Sequence, residues 1–332
     1  MKKFLSILFL SFAVTVGLAF VTTSCKKYSE QAHGATQGMA KVYCDESFKN
    51  VLEQEIDVFE YLYPKAFIKP RYMSETAAFD SLLHNKVDVI ITSTDLTQDQ
   101  KSRLSLQNRA YRSRMIAVDA VAIIVNKDND IDELSMNELK DLFSGKYRLW
   151  GKLTPTKFRN DSIKLLFDGN ATGVIRYIKN KFLGGKDFPF RVFSAKSSEE
   201  VFKTIEKYKN AVGFVGVSWV AEDMGSSQKP ANERLTELNR DDSIPALIDF
   251  TNRVKVLKVR SEDRLNGVKP YQAYINDGSY PLFRKIFAID ASLLGTIDHS
   301  FFTFLTGTVG QKIILQTGIM PGAEPVRAVE VE

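Results

Sequence analysis

From Met39 onward, short apolar runs of strand length alternate with segments whose apolar residues recur at helical spacing, and no Gly/Ser linker interrupts them. That alternation restricts the chain to an α/β fold. Lys41–Cys44 reads as a strand, and Phe48, Val51, Leu52, Ile56, Phe59 and Tyr63 share one face of a helix that Pro64 closes. Further strands are expected at Ala66–Pro70, Val87–Thr92, within Met115–Asn126, at Ile163–Phe167 and at Ala211–Val217. Helices are expected at Thr76–Leu83, behind the capping box Ser135-Met136-Asn137-Glu138, at Gly173–Leu183, from Ser197, and as one final helix over Phe301–Gln316. The polar stretch Met224–Pro245, interrupted by Gly225 and Pro230, reads as a surface excursion. With no linker to separate consecutive domains, two lobes would have to exchange the chain more than once.

Composition removes several classes of function. The chain of 332 residues is 44% hydrophobic and 26% charged, which excludes disorder. Its 45 basic and 40 acidic residues are too balanced and too scattered for a nucleic-acid groove. Two cysteines, Cys25 and Cys44, cannot build a disulfide scaffold or a four-cysteine zinc site, and His33, His84 and His299 lack metal-binding spacing. No metal and no cofactor is expected. Cys44 sits in an apolar segment and reads as buried and inert.

The N-terminus reads as an address. Lys2 and Lys3 precede an apolar run from Phe4 to Val21, then Thr22-Thr23-Ser24 and Cys25. Residues 1–24 look like a bacterial lipoprotein signal peptide, with Cys25 as the lipidated first residue; Thr22 departs from the leucine usual there. A retained membrane-spanning anchor is the competing reading, weakened by Ser6, Ser11, Thr15 and Gly17 within the run. Residues 25–39 read as a tether that lets a globular body reach a partner while attached to a membrane.

Three times a strand runs into a short polar segment that opens a helix: Cys44-Asp45-Glu46-Ser47-Phe48, Met73-Ser74-Glu75-Thr76, and Phe167-Asp168-Gly169-Asn170-Ala171-Thr172-Gly173. The first turn of a helix carries N–H groups without internal partners and the positive end of the dipole. Several such ends gathered in one cleft can hold a small oxyanion without a metal. Taken singly, each segment is better explained as an ordinary helix cap, and Asp45, Glu46, Glu75 and Asp168 strengthen that reading, since they would repel an anion unless it brings a proton to donate.

These segments, with others in the same order, resemble the substrate-binding proteins of phosphate ABC transporters, a PstS-like group of two-lobed periplasmic binding proteins. The further matches are Val87–Leu96, Val118–Asn126, Leu134–Trp150 (LSMNELKDLFSGKYRLW), Ala211–Gly216, Ser279–Leu282 and Gly310–Ile314. The resemblance implies a type II periplasmic-binding-protein fold, each lobe a mixed sheet flanked by helices, joined by a two-strand hinge near Asp119–Val125 and Tyr280–Ala288. Lobe I would take residues 40–118 and 288–332, and lobe II residues 119–287. It implies no catalytic residue, metal or cofactor. Carried over by position, the ligand-binding residues are Ser47, Phe48, Ser74, Ser93, Thr94, Asp168, Asn170, Ala171 and Thr172. Asp95 is an alternative in the third loop.

One position departs from the family pattern. The family's loop reads Arg-x-Asp-x-Ser-Gly-Thr, and its arginine is Leu166 here. Losing a charge-assisted pair costs about 1.5–3 kcal/mol, one to two decades in affinity. Arg71, Arg112 and Arg114 are candidates to replace it from other loops. Two readings therefore stand. In one, a lipid-anchored, monomeric binding protein on the periplasmic side or cell surface captures phosphate or a related oxyanion for an ABC permease. In the other, a module of the same fold takes a neutral or amino-bearing ligand, or serves in sensing. An enzyme is disfavoured, for the chain has no P-loop, no G-x-S-x-G and no histidine beside a nucleophile.

Overall fold

The computed structural model describes residues 34–169, 172–221, 230–239 and 250–323. The signal sequence, Cys25, most of the tether, Asn170 and Ala171 lie outside the described residues. Twelve strands are described: β1 (Gln37–Asp45), β2 (Lys65–Met73), β3 (Val89–Thr92), β4 (Arg112–Val125), β5 (Glu133–Ser135), β6 (Lys164–Phe167), β7 (Phe193–Ser194), β8 (Ala211–Gly216), β9 (Lys255–Val256), β10 (Lys258–Arg260), β11 (Phe283–Asp290) and β12 (Met320–Pro321). Strand β1 thus begins inside the stretch read as a tether.

The fold is α/β and two-lobed, as expected. The main sheet runs β2-β1-β3-β11-β4-β8-β6-β7, with β12 and β9 also paired to β4. Strand β4 belongs to both halves. Residues Arg112–Ala120 pair antiparallel with β11, and Val121–Val125 pair antiparallel with β8. On one side of this crossover, β1 lies parallel to β2 and β3; on the other, β6 lies parallel to β7 and β8. The crossover is pinned where the phenol of Tyr280, fully buried, donates to the Val121 carbonyl at 2.7 Å, and Val121 N donates to the Leu282 carbonyl at 2.8 Å.

Burial explains the apolar runs. Residues Val121–Val125 are wholly inaccessible to water, so β4 has no polar face there. In β3, Val89 and Ile91 join the core under helix Lys49–Leu62, while Ile90 faces a second cluster built on Ala78, Phe79 and Leu82 of helix Glu75–Leu83. A strand covered by helices on both faces needs apolar residues at successive positions.

Three features differ from the sequence reading. The expected final helix is two helices, Ile297–Thr306 and Thr308–Gln316, separated at Gly307, whose backbone is extended. The Gln311 side chain stabilises the break, donating to the Leu305 carbonyl at 2.7 Å and to the Ile116 carbonyl of β4 at 3.1 Å. Helix Gln98–Leu106 has one buried residue, Leu104, so it lacks the apolar stripe that periodicity detects; the reciprocal capping box Thr97–Gln100 starts it. Within the polar excursion, Ala231–Asn239 is a helix whose Leu238 packs on Val58 and Ile313. No helix among the described residues is long and apolar enough to cross a membrane.

Candidate functional site

The carboxyl ends of β1, β3, β6 and β8 lead into loops that meet in one crevice, the place where open α/β sheets bind ligands. From the first lobe, β1 ends in Asp45, fully buried, which caps the short 3-10 turn Glu46–Phe48. Its Oδ1 accepts from Ser47 N at 3.1 Å and Ser47 Oγ at 2.6 Å. The same oxygen accepts from Gly173 N at 3.0 Å. Gly173 opens helix Gly173–Leu183 of the second lobe, where Thr172 sits at the N-cap without a side-chain cap bond. A carboxylate from one lobe therefore caps a helix of the other, at the end where the dipole favours negative charge. The second oxygen, Asp45 Oδ2, is buried without a hydrogen-bond partner among the described residues.

Ser74 caps helix Glu75–Leu83, accepting from Ala77 N at 3.4 Å, and this directs the next residue into the crevice. One oxygen of Glu75 accepts from the Ser93 and Thr94 amides, the latter at 3.0 Å; the other meets Arg176 Nη2. Arg176 comes from the second lobe and also donates to Ser93 Oγ at 3.3 Å. Burial pushes the Glu75 carboxyl up, and Arg176 pulls it partly back.

On the second lobe, Asp168 follows β6 and is 2% exposed. It accepts from Thr172 Oγ1 at 2.9 Å and Ser198 Oγ at 3.2 Å. Neither is a fixed charge, so burial dominates and its pKa is pushed up to about 6.

The arginine at the centre of the crevice is Arg284, on hinge strand β11. Its Nε and Nη2 grip Asp119 Oδ2 at 3.0 and 2.7 Å, and Asp119 Oδ1 accepts from Val217 N at 3.2 Å. Its guanidinium carbon lies 4.4 Å from the centre of the Phe48 ring. Arg284 Nη1 is buried and has no hydrogen-bond partner among the described residues. A methyl group on Gly173 would lie 2.8 Å from this nitrogen and 3.1 Å from Asp45 Oδ1, so the crevice requires glycine there. Gly216, at the end of β8, is similarly closed in by Asp119 and Arg284.

Ser47, Phe48, Ser93, Asp168 and Thr172 thus converge. Ser74 stays a helix cap, and Thr94 contributes its amide. Asp95 turns away, its Oδ1 accepting from Leu96 N and Ser113 Oγ. The three arginines considered as replacements are elsewhere: Arg71 stacks on Tyr43, Arg112 pairs with Asp290 at 3.0 Å, and Arg114 is exposed. The sequence reading did not single out Arg284, Arg176, Asp119 or Ser198. Arg284 falls on a buried position of β11, where exposure alternates over the first residues of the strand. An aspartate inside the apolar run Val118–Val125 calls for a cationic partner. Among the described residues no cluster of His, Cys, Asp or Glu is placed to hold a metal ion.

Comparison with known proteins agrees with this architecture. A family model described as a PBP superfamily domain matches residues 29–293. The phosphate-binding protein PstS of Staphylococcus haemolyticus is 23% identical over 226 residues, which take in 68% of this chain and 62% of that protein. PstS of Staphylococcus aureus strain USA300 is 23% identical over 212 residues, 64% of this chain and 55% of its own length. The chain therefore matches less than two thirds of the length of these curated relatives. Among solved structures, a putative phosphate ABC transporter substrate-binding protein from Clostridium perfringens, with bound phosphate, superposes with a TM-score of 0.65. It is 18% identical, and the match covers 86% of this chain and 99% of that one. An ABC-type phosphate transport receptor from Vibrio cholerae gives a TM-score of 0.60 at 17% identity, covering 86% and 100%. The family resemblance read from the motifs is borne out, and it is a resemblance to binding proteins.

Proposed function

Because the chain belongs to the PBP superfamily, we propose that it is an extracytoplasmic solute-binding protein that takes phosphate, or a related oxyanion carrying a proton, into the crevice between its lobes. One observation carries this reading. A buried donor, Arg284 Nη1, and a buried acceptor, Asp45 Oδ2, lack hydrogen-bond partners among the described residues, and both groups border Gly173. A protonated oxyanion satisfies both at once, accepting from the guanidinium and donating its hydroxyl to the carboxylate. Fully ionised sulfate can do only the first, and leaving a buried acceptor unpaired costs about 1–3 kcal/mol. Arg284 supplies the charge that Leu166 cannot. Ser47, Phe48, Ser93, Asp168 and Thr172 line the ligand, with Ser74 and Thr94 on the same loops. The hinge crossover fits lobe boundaries at 40–118 with 288–332, and 119–287.

The names of the relatives support delivery of the solute to an ABC permease, and the N-terminal sequence supports attachment through a lipid on Cys25, with the body acting as a monomer. Calorimetric titration with phosphate and with sulfate tests the central claim. Tight phosphate binding that falls in Arg284→Lys is expected; equal affinity for both anions overturns it.

A second reading, a changed ligand, has its own support. Among the described residues, the crevice holds Asp45, Glu75, Asp119 and Asp168 against Arg176 and Arg284. A melting-temperature rise with an amino-bearing solute and none with phosphate would establish it.

A further inference from the structure

We infer that Glu75 is a built-in substitute for the bound anion, holding the crevice closed in the empty protein and competing with any oxyanion that enters. This rests on the oxyanion reading above but is tested apart from it. The Glu75 carboxylate does what a ligand of a two-lobed binding protein does. It accepts backbone N–H groups from one lobe, at Ser93 and Thr94, and a guanidinium from the other, Arg176. Glu75 is 1% exposed, whereas the Arg176 side chain keeps 27% of its surface in contact with solvent. Asp45 lies on the far side of the same guanidinium, its Oδ2 4.0 Å from Arg176 Nη2. The two carboxylates therefore share one cross-lobe cation. An arriving oxyanion next to Arg176 must displace Glu75 from it or accept a third negative charge beside it. Closure is also supported by Ser218 Oγ, which donates to Asn50 Oδ1 at 3.0 Å, and by Trp219 Nε1, which donates to the Ser47 carbonyl at 3.4 Å. These bonds are neutral, and the Asp45 carboxylate is held by Ser47 and Gly173, so Glu75–Arg176 is the charged cross-lobe pair whose anionic member a charged ligand can replace.

The consequence is a closed state populated without ligand, and an apparent affinity lowered by the fraction of molecules that are self-occupied. In Glu75→Gln the charge is lost and an amide donor faces Arg176, so the cross-lobe contact is broken while the side chain keeps its size.

The experiment uses the full chain in phosphate-free buffer and reads Trp219, at the lobe interface, by emission wavelength and acrylamide quenching. Trp150, completely buried, stays silent. Glu75→Gln is expected to shift emission to longer wavelength and raise quenching. Arg176→Gln, altering the more exposed partner, is expected to do the same and decides the matter if the first variant does not fold. Unchanged emission and quenching in the variant overturn the inference, whatever phosphate does. Inorganic phosphate is then titrated: Glu75→Gln is expected to bind about tenfold more tightly than the parent. Opening in the variant with no phosphate binding in any protein would retain the latch and discard the phosphate reading.

Discussion

The crevice contains two arginine–carboxylate pairs with opposite designs. Arg284 and Asp119 both lie on hinge strands, are almost completely buried, and meet through a forked contact on a single carboxylate oxygen. Arg176 and Glu75 come from opposite lobes, and the arginine remains partly solvated. The first pair cannot separate without dismantling the hinge, since its members sit on adjacent paired strands. The second separates whenever the lobes do. One pair fixes a charge where a ligand is expected, and the other can be exchanged for a ligand. Burial raises the carboxyls of both Asp119 and Glu75, while the paired arginine lowers each. What distinguishes them is which elements they join.

The contrast is broken most severely at the hinge. Arg284→Met leaves Asp119 buried without its cation, and removing one partner of a buried pair costs about 3–5 kcal/mol. Urea unfolding of the variant is expected to show a loss of that size; a loss below about 1 kcal/mol would mean the pair is no more fixed than Arg176–Glu75. The next effect lies at Asp168, buried and bonded to two hydroxyls. Its carboxyl, pushed up to about 6, stays protonated in the fold at pH values where it ionises in the unfolded chain. The stability it lends is complete below about pH 4 and is lost as pH rises through 6. The unfolding free energy of the parent minus that of Asp168→Asn should therefore fall by about 2.4 kcal/mol between pH 4 and pH 7. A flat difference would show that Asp168 is ionised in the fold.

Much of this arrangement is legible in the chain, and the limits have physical causes. Gly173–Leu183 runs between the residues read from periodicity, because its apolar stripe and its terminal Gly184 are local signals. The convergence of three helix-opening loops is legible too, since each loop follows a strand whose direction the fold sets. Pairing across the crevice is not local. Asp45 and Gly173 are 128 residues apart, and Asp119 and Arg284 are 165 apart. Searching the family's own loop for the missing arginine therefore led to Leu166 and to the wrong substitutes, while the guanidinium reaches the same crevice from β11. Three of the four acids that the sequence counts against an anion, Asp45, Glu75 and Asp168, themselves accept from the amides and hydroxyls of the crevice.

Two smaller perturbations sharpen the comparison. Gly173→Ala places a methyl 2.8 Å from Arg284 Nη1 and 3.1 Å from Asp45 Oδ1, which pushes the second-lobe helix away from both groups. Overpacking of this kind costs about 1–3 kcal/mol, and calorimetry should show weaker phosphate binding together with a modest loss of stability. Tyr280→Phe is the gentlest. It removes only the 2.7 Å bond to the Val121 carbonyl, at the residue where β4 passes from one half of the sheet to the other. The expected cost is about 1–2 kcal/mol, read from urea unfolding, because the carbonyl is left buried without that donor. Phosphate affinity should stay within about twofold, since neither Arg284 nor Asp45 is disturbed. A large change in affinity with little loss of stability would place the hinge pin among the groups that govern closure, and the division into fixed and exchangeable pairs would then have to extend to the crossover itself.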